Sequence, residues 1–278
     1  MQRVEHLLRA TARAETRHFW FRGFRAFVLP LLRYATAGRS DLRLLDCGCG
    51  TGANVEILSR FGRASGFDLS ETGLRLGREA GRTHLARASV AAAPFPARSF
   101  DIVTSFDVLY SLGDDDERAA IAEMYRMLKP GGFAIINVAA MQALRGDHSV
   151  LSREVRRYGR EDLRARLTAA GFTIVRLTYT NAALFVPLAL ARAMQRRRGL
   201  KSESDAQREI SVPPAPVNGL LSGILLLESA WLRWFDLGFG SSLLCLARKP
   251  VDLSRASGSP RAGPRGDELR AGPAAART

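Results

Sequence analysis

Lysine is nearly missing from this 278-residue chain: it occurs only at 129, 201 and 249, so almost all of the 41 basic residues are arginine. Against 27 acids they give a formal net charge of +14, a field that gathers polyanions. The arginines are scattered along the chain rather than massed, however, and nucleic acid is not expected as a partner. Cysteine is scarce as well. Three thiols exclude a dense disulfide framework, and without a C-x-x-C or a Cys/His cluster no metal site is expected. Cys47 and Cys49 read as small residues packed around a glycine turn, in a reducing cytoplasm. The opening segment lacks an apolar run, because Arg3, Glu5, Arg9, Arg13 and Glu15 interrupt it, so no secretory leader is expected there.

What is present is an apolar content of 46%, which excludes a chain disordered throughout. Residues 1–39 read as a helical cap, with Leu7, Leu8, Phe24, Phe27, Val28 and Leu31 on its apolar faces and Pro30 expected to break it in two. From 40 to 248 short apolar runs alternate with helical stretches: Leu42–Cys47, Ala64–Asp68, His84–Ala88, Phe100–Ser105, Phe133–Val138, Phe172–Tyr179 and Ser242–Ala247. That alternation predicts an α/β fold, a mostly parallel sheet with helices on both faces. Asp114, Asp115 and Asp116 place negative charge at one helix start, and Lys129-Pro130-Gly131-Gly132 is expected to stop that helix and turn the chain.

The connection 181–240 is long for a compact domain and is therefore expected to carry function. It holds two apolar helices, a basic run Arg196-Arg197-Arg198, and Trp231, Trp234 and Phe235. Prolines, Gly219 and Glu228 keep the second helix short of the roughly 20 apolar residues that cross a bilayer. A helical lid packed on the sheet is the expectation for 181–240, with peripheral contact with the inner face of a membrane as the alternative. From 249 to 278 the Ser/Gly/Pro/Arg/Ala mixture reads as a disordered tail.

Asp46-Cys47-Gly48-Cys49-Gly50-Thr51-Gly52 follows the first strand directly and leads into a helix near Asn54. Glycines at such a switch let the backbone turn sharply and let a ligand approach closely, while the helix start offers N–H groups. Asp68 ends the second strand about 20 residues after Gly48, the distance at which an acid reaches ribose hydroxyls. Capping of the next helix by Asp68 or Ser70 is the structural alternative. These features alone suit a nicotinamide dinucleotide as well as a sulfonium nucleoside.

The ordered set of motifs is more specific. Leu44–Gly52, Gly66-Phe67-Asp68-Leu69-Ser70, Pro94-Phe95-Pro96 with Ser99–Val103, and Leu128–Gly132 together resemble the class I S-adenosylmethionine-dependent methyltransferases, of the bacterial type 11-like kind. The resemblance implies a Rossmann-like sheet of seven strands and S-adenosyl-L-methionine as cofactor. It implies that the backbone of Gly48, Gly50 and Gly52 approaches the methionine part, that Asp46 orders the loop or meets the ammonium, and that Asp68 binds the ribose. Leu69, Ser89, Val90 and Ser105 complete the cofactor set. Ser89 stands where such relatives often carry Asp, which shifts adenine recognition to the Val90 backbone. Phe19-Trp20-Phe21-Arg22-Gly23 is similar to their N-terminal motif, in which Trp20 would close the site and Arg22 pair with the methionine carboxylate.

Methyl transfer needs mainly alignment and exclusion of water, since the sulfonium already activates the methyl group. Where the acceptor must lose a proton, Asp107, Tyr110, His148 and Tyr158 are the candidate bases. Arg156-Arg157 would orient an anionic acceptor or face water. The acceptor itself reads as a small or lipid-linked molecule. A protein that binds the cofactor without transferring a methyl group, and an NAD-dependent oxidoreductase, are the rival readings.

Overall fold

The computed structural model describes residues 9–144, 154–185, 189–190, 194 and 212–251. His148, the run Arg196–Arg198 and the expected tail from 252 onward lie outside these residues. The elements are α1 (Phe19–Thr36), β1 (Leu42–Cys47), α2 (Ala53–Leu58), β2 (Gly62–Asp68), α3 (Glu71–Glu79), β3 (Leu85–Arg87), β4 (Phe100–Phe106), α4 (Asp114–Met127), β5 (Leu128–Ala139), α5 (Arg160–Ala169), β6 (Thr173–Thr180), α6 (Ala215–Trp231) and β7 (Ser242–Arg248).

The seven strands form one sheet in the order β3-β2-β1-β4-β5-β7-β6. It is parallel from β3 through β5, and β7 runs antiparallel between β5 and β6. Period-two alternation sorts the strand side chains into two layers. Leu42 and Leu44 join Ala64, Ile102 and Ile135 beneath α1, α2 and α6. Leu45 and Cys47 join Phe67, Val103 and Ile136 beneath α4 and α5. Leu44 and Leu45 are wholly buried, and each such side chain contributes about 1.5–3 kcal/mol of transfer free energy. Strand order reverses between β1 and β4, which opens a crevice at their C-terminal ends where ligands of such sheets bind.

Two local expectations are corrected. Pro30 does not break the leading helix: α1 runs through it, and the interruption falls earlier, at a turn over 15–17 capped by His18. Proline lacks the N–H that would bond the carbonyl of Ala26, but the Ser229 hydroxyl of α6 donates to that carbonyl at 2.8 Å. α1 and α6 also pack closely at Gly23, where a Cβ would lie 2.4 Å from Leu225 Cδ1. The second correction concerns Lys129–Gly132, which does not separate helix from strand. β5 begins at Leu128, and these residues form a bulge across which the register jumps from Phe100↔Leu128 to Ile102↔Phe133.

Candidate functional site

The glycine turn is held from β2. Gly48 N–H and Cys49 N–H both donate to the Phe67 carbonyl, at 2.8 and 3.0 Å. Gly50 N–H donates to Asp68 Oδ2 at 2.8 Å, and Ser70 N–H to Asp68 Oδ1 at 2.8 Å. Gly48, Gly50 and Gly52 sit at φ of 81°, 55° and 79°, a left-handed run that side chains resist. At Gly48 a Cβ would also fall 2.4 Å from Val108 Cγ2. Asp68 thus orders the turn while remaining only partly buried at the strand end. Capping of α3 falls to Ser70, whose hydroxyl accepts from Gly73 N–H.

Asp46 lies near the end of β1, directly before the turn. It is completely covered, and its Oδ1 accepts from the Thr104 hydroxyl at 2.6 Å, tying β1 to β4. Oδ2 makes no hydrogen bond of full geometry. Burial, with Asp68 adding to it and Thr104 and the nearby Asn54 amide opposing, pushes the carboxyl up to about 7. Asp46 therefore offers no surface for direct ligand contact.

The N-terminal segment reaches the turn through Glu15, a residue to which the sequence motifs gave no role. Buried Glu15 accepts from the Thr51 hydroxyl at 2.6 Å and pairs with Arg82 at 2.6 Å, and Arg82 also donates to the Thr51 carbonyl at 3.1 Å. Arg22 is exposed, and its side chain makes no hydrogen bond or ion pair among the described residues. Trp20 is partly buried.

The second half of the crevice is built at the ends of β4 and β5. Asp107 follows β4 in a left-handed conformation, φ 60°. Two contacts hold it: its N–H donates to the Asn137 carbonyl at 2.9 Å, and its Oδ1 accepts from Asn137 Nδ2 at 2.9 Å. The residue is exposed at the strand end, yet its carboxyl is enclosed enough that desolvation raises its pKa; Glu154 adds to the rise, and Asn137 and Arg157 oppose it. A non-glycine residue held at positive φ beside such a crevice is a recurrent feature of functional sites. Register explains the pairing, since Asn137 lies opposite Phe106. Asn137 and Thr104 could have been noticed as polar residues inside apolar strand runs, which require buried partners.

The remaining expected residues fall as follows. Leu69 is exposed at the end of β2, and Ser89 and Val90 form a partly buried turn in which Ala92 N–H donates to the Ser89 carbonyl at 3.2 Å. Ser105 is buried within β4. Tyr110 is buried just after β4, and its carbonyl accepts from Val155 N–H at 2.9 Å and Arg156 N–H at 3.2 Å. The Arg156–Tyr158 stretch neither faces water nor awaits an anion. Arg156 pairs with Asp114 and with Glu117, which is fully buried, and Arg157 pairs with Glu154 at 2.8 Å. The Tyr158 hydroxyl donates to Glu117, and burial drives its pKa far upward, so it is a structural donor rather than a base.

This geometry can be set beside known proteins. The family described as Methyltransferase domain matches residues 45–136, the stretch that contains the glycine turn, Asp68 and Asp107. The matched residues carry the parallel half of a seven-stranded sheet that runs from Leu42 to Arg248. The chain is 34% identical over 113 residues to the ubiquinone/menaquinone biosynthesis C-methyltransferase UbiE of Shewanella halifaxensis. That alignment takes in 37% of this chain and spans 44% of the relative's length. Among solved structures, the [4+2]-cyclase SpnF superposes with a TM-score of 0.53 at 21% identity, over 81% of each chain. Phosphoethanolamine N-methyltransferase 2 of Haemonchus contortus, in complex with S-adenosyl-L-methionine, superposes with a TM-score of 0.51 at 20% identity, over 80% of this chain and 52% of that one. These likenesses establish the fold around the methyltransferase domain. Of the described helices, none is long and apolar enough to cross a membrane.

Proposed function

We propose that this chain is an enzyme that transfers the methyl group of S-adenosyl-L-methionine to a small or lipid-linked acceptor. The observation that carries the reading is one rigid edge of the sheet. There the left-handed glycine turn and Asp68 stand at the ends of β1 and β2, and Asp107 stands at the end of β4.

The residues suit the cofactor. The turn gives close backbone approach without Cβ atoms, and Asp46 lays negative potential under a ligand that bears a sulfonium and an ammonium. Asp68 spends one lone-pair direction of each oxygen on the backbone and keeps the others for ribose hydroxyls. Leu69 offers an apolar surface beside the Ser89–Val90 turn for the adenine. When bound, the cofactor supplies a methyl group already activated for in-line displacement. The chain's own task is to align the acceptor, exclude water and, for acceptors that carry a proton, remove it. Asp107 takes that proton, with the Asn137 amide fixing its carboxylate. Three unpaired buried cysteines suit a reducing, cytoplasmic setting.

Calorimetry with S-adenosylmethionine, S-adenosylhomocysteine and NAD, followed by transfer of labelled methyl into lipid and small-molecule extracts, tests the reading. Micromolar affinity for the first two and label in an extract are expected. Binding without transfer would favour a non-methylating role, a reading kept open by the likeness to a protein named a cyclase. Affinity for NAD alone would overturn the assignment.

A further inference from the structure

Helix α6 is built inside out. Its buried face is mostly polar: Asn218, Ser222, Glu228 and Ser229, with Leu225 the apolar exception. Each of three groups has a fixed structural use. Asn218 accepts from Phe19 N–H at 2.8 Å and donates to the Arg17 carbonyl at 2.9 Å. Glu228 accepts from the N–H groups of Ala182 and Ala183 at 3.1 and 2.8 Å, and Ser229 serves the Ala26 carbonyl. The outward face is apolar. Leu220, Ile224, Leu227 and Trp231 follow i, i+4, i+7, i+11 along one stripe, with Leu220 66% and Leu227 74% exposed. Trp234, 82% exposed, and Phe235 extend the patch beyond the helix. A helix in a water-soluble fold places its apolar stripe toward the core; here the stripe faces away from it.

Charge around the stripe selects its occupant. α1, which lies alongside, contains Arg22, Arg25 and Arg33 and no acid, and the one acid of α6 is buried Glu228. Arg22 and Arg33 fall on one line of α1, next to Gly23 and Ala26, which meet Leu225 and Ser229 of α6. They are exposed, as is Arg233 after α6, and their side chains make no ion pair or hydrogen bond among the described residues. A second copy of the chain paired on this face about a twofold axis would set Arg22, Arg33 and Arg233 against themselves, and the acid beside them among the described residues, Asp236, is already paired with Arg176 at 2.8 Å. An anionic lipid surface satisfies both features, taking the apolar stripe into its acyl boundary and the arginines among its headgroups. We propose that α6 lies in the plane of an anionic bilayer, its Leu220–Trp231 stripe and Trp234 inserted and Arg22, Arg33 and Arg233 on the phosphates.

The test uses the full chain and vesicles of phosphatidylcholine with and without phosphatidylglycerol. Sedimentation with the anionic vesicles, a blue shift of tryptophan emission and release at high salt are expected. Leu220→Gln with Leu227→Gln should lower vesicle partitioning by at least about tenfold. The same variant should keep the wild-type affinity for S-adenosylhomocysteine, which shows that it is folded and separates this result from any failure of the methyl-transfer reading. Arg33→Glu with Arg233→Glu should abolish the preference for anionic lipid. Protein left in the supernatant with both vesicles, equal binding to both, or a dimer that the leucine variant dissociates without any vesicle binding would each overturn the proposal.

Discussion

The ribose assignment can be separated from the structural role of the same carboxylate. Asp68 accepts Gly50 N–H on one oxygen and Ser70 N–H on the other, so Asp68→Ala releases the turn and weakens every ligand that uses it. A drop in affinity would therefore not by itself show a contact with the sugar. A double cycle does. Each hydroxyl that donates to a carboxylate is worth about 1.5–3 kcal/mol, so stripping both hydroxyls should cost the wild-type protein roughly 3–6 kcal/mol, or about 100-fold or more in Kd. The ligands are S-adenosylhomocysteine and its 2′,3′-dideoxy analogue, measured by calorimetry on both proteins. On Asp68→Ala the same deletion should cost less than about tenfold, because the partner of the hydroxyls is gone. If the variant discriminates between the two ligands as strongly as the wild type, Asp68 holds the loop and nothing else.

Two further outcomes follow from buried groups. Asp46 is raised to about 7 in the folded chain, so its contribution to stability is fully present below its unfolded value and is lost as pH rises through about 7. A cationic ligand at the turn lowers that pKa, so S-adenosylmethionine should bind with proton release near neutral pH; calorimetry in buffers of different ionisation enthalpy reads this, and Asp46→Asn should abolish it. Ser229→Ala should cost about 1–3 kcal/mol in denaturant unfolding, because the Ala26 carbonyl loses its donor. In a Pro30→Ala background, where the helix supplies an N–H again, the same change should cost much less, and an equal cost in both would refute the compensation.

Local chemistry was readable in the sequence, and tertiary chemistry was not. The β1 turn, the acid ending β2 and the alternation of strands and helices depend on neighbouring residues, so spacing alone placed them. Pro30 misled because its helix is completed by a serine about 200 residues away, a partner no window can contain. Asp107 was named from its place after a strand, whereas Asn137, which fixes it, is determined by the β4–β5 register. In the sequence Arg156 and Arg157 read as orienting an anionic acceptor or facing water, and Tyr158 as a candidate base. Their roles are set by Glu117 and Glu154, which give them buried partners. The polarity of α6 was legible as composition, but only the packing of Asn218, Glu228 and Ser229 revealed which side faces out.

The late strand β7 has a consequence for biosynthesis. It is synthesised after β6 and the long connection, yet it sits between β5 and β6. A ribosome that has made residues up to 241 therefore holds an unfinished sheet, with the β5 edge at Phe133–Ala139 open and β6 without a strand partner. Such edges invite pairing with other nascent chains, so the interval before Ser242–Arg248 emerges is when this polypeptide most needs a chaperone.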